Sequence, residues 1–146
     1  MADVLDDIDR RMLAELQVDG RMSVRTLAER VRVSRANAYA RLDRLAAAGV
    51  IVGYTVIVDP VKAGLATSAY VSLSIQQSSW RRLRERLKGI EEVRHMALVG
   101  GDFDVMLLVR AADNAALRRV VLDQLPAIPE VIASRTSLIF EDHENR

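Results

Sequence analysis

Cysteine is missing from this chain, which rules out disulfides and thiolate metal sites and fits a cytoplasmic protein. Long apolar runs are missing too; none approaches the roughly 20 residues that span a bilayer. The opening residues MADVLDDIDRR have neither the basic start nor the apolar run of a signal peptide. An excess of charge of one sign is missing as well: the formal net charge is +1, so overall charge says little about nucleic acid. With only two histidines, His95 and His143, a metal site would have too few ligands. His95 beside Asp102 and Asp104 has no serine or cysteine nucleophile in a recognisable context, and reads as a structural strand histidine. There is no glycine loop of the P-loop or dinucleotide type. No cofactor, metal or enzymatic activity is expected. Trp80, the one tryptophan, reads with its leucines as a core stripe.

What is present is apolar and patterned. Half of the 146 residues are hydrophobic, enough to build one core or two small ones. The stretch from Ser23 to Gly49, SVRTLAERVRVSRANAYARLDRLAAAG, reads as two helices and a tight turn. Ser23 caps the first, whose apolar face is Val24, Leu27, Ala28 and Val31. Val33 fills the turn and Ser34 caps the second helix. That helix buries Ala38, Leu42 and Leu45 and stops at Gly49. A short helix, a turn and an arginine-studded second helix are what a helix-turn-helix needs to enter a major groove.

Charge is sorted along the chain. From Gly20 to Ala48 stand Arg21, Arg25, Arg30, Arg32, Arg35, Arg41 and Arg44 against Glu29 and Asp43. The preceding segment carries Asp3, Asp6, Asp7, Asp9, Glu15 and Asp19. Only Lys62 and Lys88 are lysine, and arginine suits bidentate contact with phosphates and guanine edges. Arginine-favouring codons would give the same bias. The expected DNA surface is Arg25, Ser34, Arg35, Ala36, Asn37, Tyr39, Arg41 and Arg44. Small Ala36 and Ala40 allow close approach, and Arg35, Asn37 and Tyr39 lie near the helix start, where bases are usually met. Arg41 and Arg44 either reach phosphates or pair with the acidic first helix; both remain open.

A helix over Asp6–Val18 precedes this pair, capped by Asp6, with Ile8, Met12, Leu13 and Leu16 buried. After Gly49, Val50 to Val58 turns β-like, and Gly53 predicts a turn between two short strands, the wing of a winged helix. Asp59-Pro60 ends it, and residues 59–66 read as a hinge between domains 1–58 and 67–146. The second half predicts strand, helix, strand, strand, helix, strand. Thr67–Gln76 alternates. Ser78 or Ser79 caps a helix burying Trp80, Leu83, Leu87 and Ile90. Val93–Val99 and Asp104–Arg110 pair across Gly100-Gly101-Asp102. Asp113 caps a helix burying Leu117, Val120, Val121 and Leu125, and Val131–Phe140 closes the sheet. The fold class is therefore α+β: a winged helix-turn-helix plus a ferredoxin-like βαββαβ domain. The uncovered sheet face implies a dimer, sheet against sheet.

In LDDIDRRMLAELQVDGR, LAERVRVS, RLDRL, GVIVGYTVIVDP and VGGDFDVMLLV the chain resembles the leucine-responsive regulatory protein (Lrp)/AsnC family of bacterial and archaeal transcription regulators. The resemblance covers nearly the whole length. It implies a partner in double-stranded DNA, dimerisation through the C-terminal domain and assembly into tetramers or octamers. It also implies an amino-acid effector held between dimers. Two departures stand out: Ala38 replaces a larger aliphatic residue, and the glycine of the hairpin is doubled. By resemblance the effector site comprises Met96, Ala97, Leu98, Val99, Gly100, Gly101, Asp102, Phe103, Asp104, Thr136, Ser137, Leu138 and Ile139, the last four from a neighbouring dimer. Glycine N–H groups would take the carboxylate and the aspartates the ammonium, although Gly-Gly-Asp also makes an ordinary hairpin. Two other readings share parts of this pattern: a tetrapyrrole decarboxylase of the same fold, and an architectural protein coating DNA with little sequence preference.

Overall fold

The computed structural model describes residues 5–143, so Asp3 of the acidic segment lies outside the described residues. The chain divides into two compact units between Ile57 and Val58. The first unit contains α1 (Asp7–Val18), α2 (Val24–Val31) and α3 (Arg35–Ala47). Each starts where the sequence supplies a side-chain oxygen. Asp6 accepts from the Asp9 N–H, Ser23 from Thr26 and Ser34 from Asn37, satisfying donors that a helix leaves open. The Asp9 carboxylate in turn accepts from the Asp6 N–H at 3.1 Å, which closes a capping box. Between α2 and α3, Arg32 takes a left-handed conformation with φ 60° and ends α2. Met12, Leu27, Ala28, Val31 and Ala38 form the core, with Ile8, Leu16, Val24, Val33 and Leu42 packed on it.

The expected wing does not form. Residues 51–59 form no paired strand, and β structure begins at Thr67 among the described residues. Gly53 does not take the positive φ that a two-residue hairpin turn needs. A lone hairpin also has nothing to bury its valines against, and Val52 stays 93% exposed.

The second unit follows the predicted order: β1 (Thr67–Ile75), α4 (Trp80–Leu87), β2 (Val93–Leu98), β3 (Val105–Ala111), α5 (Asn114–Arg118) and β4 (Val131–Ile139). Between α5 and β4 the helix widens into a π-helical stretch, Arg119–Gln124. The strands lie in the order β2-β3-β1-β4, antiparallel throughout. Alternation puts Ala69, Val71 and Leu73 of β1 with Val105, Leu107 and Val109 of β3 in one core with Leu83, Leu87, Leu117, Val120 and Leu125 from the helical segments. The opposite register carries Tyr70 across from Leu108 and Ser72 across from Met106, all at least partly exposed. Asp113 caps α5 as expected, its carboxylate 2.7 Å from the Ala116 nitrogen. Ser79 does not cap α4: it is buried, and its hydroxyl donates backwards to the Gln76 carbonyl at 2.6 Å.

Candidate nucleic-acid interface and effector region

The local sequence of α3 separates its two sides. Ala38 and Leu45 are buried, Leu42 is half-buried, and Arg35, Ala36, Asn37, Tyr39 and Ala40 are exposed. Tyr39 shows 55% of its surface, a large aromatic with no core to fill. The Ser34 hydroxyl oxygen holds the Asn37 N–H at 3.1 Å, so the first turn that carries Arg35, Ala36 and Asn37 is pinned. The Arg35 guanidinium has no hydrogen bond or ion pair among the described residues. Arg25 leans on Glu29 at 3.2 Å with both side chains about two-thirds exposed, a contact that water and salt compete for easily.

Arg41 and Arg44 are placed differently. Arg41 Nη1 lies 2.6 Å from Asp6 Oδ2 and 2.8 Å from Asp9 Oδ1, and Arg44 Nη2 lies 2.6 Å from Asp9 Oδ2. Arg41 is only 18% exposed and Asp9 only 1%. Of the two roles the sequence left open, the structure realises the ion pairs with the acidic first helix. These two arginines become struts between α1 and α3 instead of an open phosphate-binding face. Burial pushes the Asp9 carboxyl up, but hydrogen bonds from Arg44, Arg41 and the Asp6 backbone outweigh it and pull it down to about 2. Hydrogen bonds to Asp6 and Asp9 in turn raise Arg41 above the ordinary arginine value. The sequence offered the acidic first helix as a partner for these arginines but did not single out Asp9 among its carboxylates.

The residues assigned to an effector fall into two groups in one chain. Met96, Ala97 and Leu98 end β2, Val99 to Asp104 form the hairpin turn, and Thr136 to Ile139 end β4. β2 and β4 are opposite edges of the sheet, with β3 and β1 between them. Three strand spacings make roughly 14 Å, too far for one amino acid to touch both edges. Gly101 alone of the doubled glycines has a left-handed backbone, φ 120°. Asp104 braces the turn against β1. Its Oδ2 accepts from the Ile75 N–H at 2.8 Å while its own N–H donates to the Leu73 carbonyl. Gly100, Gly101 and Asp102 are exposed, and Phe103 is half-buried. The sequence did not point to Arg135, whose guanidinium carbon lies 5.2 Å from the centroid of the Phe103 ring. That contact ties the hairpin turn to β4 across the sheet. His95 is exposed beside Leu108, and no cluster of three or more metal-type ligands occurs among the described residues.

A helix-turn-helix with an arginine- and tyrosine-bearing second helix, joined to a βαββαβ sheet domain, defines a DNA-binding regulator with a sensor-type module. Family models agree along both units: the AsnC-type helix-turn-helix domain matches residues 5–46 and the Lrp/AsnC ligand binding domain matches residues 68–146. The chain belongs to the Lrp/AsnC family of transcriptional regulators. It is 36% identical over 140 residues to the HTH-type transcriptional regulator AldR of Mycolicibacterium smegmatis, covering 94% of this chain and 82% of that one. It is 33% identical over 141 residues to the leucine-responsive regulatory protein of Klebsiella pneumoniae, covering 94% and 86%. A transcriptional regulator of Neisseria meningitidis, solved in complex with L-methionine, superposes with a TM-score of 0.89 at 26% identity over 97% of this chain and 94% of that one. No helix among the described residues is long and apolar enough to cross a membrane.

Proposed function

We propose that this chain binds specific sites on double-stranded DNA through α3, as a homodimer, and regulates genes of amino-acid metabolism in the cytoplasm. The carrying observation is the outer face of α3. Its apolar residues are consumed by the core and its later arginines by α1, which leaves Arg35, Tyr39 and the amide nitrogen of Asn37 on a capped helix start without a partner among the described residues. A helix start of that kind is what enters a major groove, and a dimer spaces two of them on half-sites roughly 10 bp apart or a multiple of that. The effector is an amino acid held between dimers. Support comes from the placement of β2, with Met96–Leu98, and of Thr136–Ile139 on opposite sheet edges, which favours a ligand shared between edges of different chains. The relative solved with L-methionine supports the same class of ligand. Regulators of this kind assemble beyond the dimer, as tetramers or octamers.

Selection from randomised duplex DNA tests this reading, followed by titration of the enriched duplex at several salt concentrations. The wild-type protein is expected to enrich a two-fold symmetric motif. Arg35→Ala is expected to weaken binding to it by about tenfold, the equivalent of one good arginine contact. Unchanged affinity in both Arg35→Ala and Tyr39→Ala would overturn the assignment of this face.

A further inference from the structure

Asn37 is exposed on the first turns of α3, yet its side chain is not free to rotate. Its Oδ1 lies 2.7 Å from Arg41 Nε. An arginine Nε–H can only donate, so the amide atom facing it must be the oxygen. The guanidinium is itself clamped. Nη1 reaches Asp6 Oδ2 at 2.6 Å and Asp9 Oδ1 at 2.8 Å, and Asp9 is buried and tied to α1 by the Asp6 N–H. These are charge-assisted bonds, about twice as strong as neutral ones. A chain of contacts thus runs from the buried α1 carboxylate through Arg41 to the amide of Asn37. The amide nitrogen has no partner among the described residues. The backbone N–H of Asn37 is already spent on Ser34.

Resting on the DNA-binding reading above, we propose that Asn37 reads a guanine in each half-site because Arg41 locks its amide with the oxygen inward and the NH₂ outward. In the major groove guanine offers two acceptors, O6 and N7, to that NH₂. Adenine offers one acceptor, N7, beside an amino donor, thymine one acceptor, O4, and cytosine only an amino donor, so guanine alone gives the NH₂ two acceptors. An unlocked asparagine also supplies an acceptor, and pairs with adenine through both amide atoms. Here the oxygen already holds an N–H from a cation, which fixes the amide with its NH₂ as the edge left for a base. Arg41 is a positioning residue: it touches no base, and it selects which edge of the amide the base meets.

Selection from randomised duplex DNA with wild type, Asn37→Ala and Arg41→Met tests this. The wild-type motif is expected to hold one guanine per half-site whose preference over adenine falls by about tenfold in Asn37→Ala, while other positions keep theirs. Arg41→Met removes the Nε–H and lets the amide turn over. The same position is then expected to accept guanine or adenine, a change of base identity that mere loss of stability does not produce. Three results overturn the proposal: Asn37→Ala alters no position, the base pair it erases is A·T, or folded Arg41→Met keeps strict guanine. Should Arg41→Met fail to fold, Asn37→Ala decides alone, since it changes an exposed side chain. If the wild type enriches no motif, the DNA-binding reading falls and this inference with it. If a motif appears and Asn37→Ala leaves it unchanged, only this inference falls.

Discussion

Asp9 keeps its charge while only 1% of its side chain meets solvent, a rare combination unless the charge is paired. Its partners are Arg41 and Arg44, 32 and 35 residues away. That distance explains why the sequence showed Asp6 as a cap and not Asp9 as a buried anchor: the cap is local, while the anchor needs α3 folded back on α1. The carboxyl titrates at an ordinary 3.8 in the unfolded chain and at about 2 in the fold. A depressed folded value means the stabilisation is complete above pH 3.8 and drains away as pH falls toward 2. The shift corresponds to about 2 kcal/mol at neutral pH. Urea unfolding followed at closely spaced pH values between 5 and 2 is expected to show that loss. Asp9→Asn is expected to be less stable at pH 7 by about 2 kcal/mol and to lose the corresponding part of the pH dependence. A variant as stable as the parent at pH 7 would show that the buried pair contributes nothing net.

Elements whose signals are local were legible in full. Asp6, Ser23, Ser34 and Asp113 each cap the helix expected of them, and the alternation of Thr67–Ile75 gave the buried face of β1. Elements that need a distant partner were not. Val50–Val58 has β composition, but composition does not supply a pairing strand, and none forms there. Ser79 resembles a cap until α4 packs and buries its hydroxyl against Gln76. Likewise the doubled glycine of the hairpin was visible, while the division of labour between the two was not. Only Gly101 has a left-handed φ, and a side chain added at Gly100 meets open space. Gly101→Ala is therefore expected to cost about 1–3 kcal/mol, and Gly100→Ala close to none, by thermal or chemical unfolding. Ser34→Ala is expected to cost about 1 kcal/mol. It is also expected to weaken DNA binding, because the lost cap frees the turn that holds Arg35 and Asn37. Full DNA affinity in a destabilised Ser34→Ala would separate the cap from recognition.

The proposed assembly would draw on apolar side chains that the single chain leaves open. Tyr70 and Leu138 remain about half exposed on the sheet, and the apolar side chains of Val52, Val56 and Ile57 are open to solvent in the first unit. On the open face of the sheet Tyr70 lies across from the half-buried Leu108, an apolar pair of the kind that marks a site of association. The proposed effector site calls for association as well, since β2 and the end of β4 occupy opposite edges of one sheet. A ligand that bridges two chains stabilises only the assembled form. At a hundred times its dissociation constant it adds about 2.7 kcal/mol, but only while the assembly persists. Thermal melts with each of the twenty amino acids are therefore expected to reveal one or a few stabilisers whose effect shrinks as protein is diluted. Leu108→Glu puts a charge on the open face beside Tyr70 and is expected to yield a folded monomer of 16.3 kDa by sedimentation. That monomer is expected to lose both the ligand response and cooperative binding to paired half-sites. A stabilisation that ignores dilution and survives in the monomer would place the whole pocket inside one chain, and the two sheet edges would then have no shared ligand to join them.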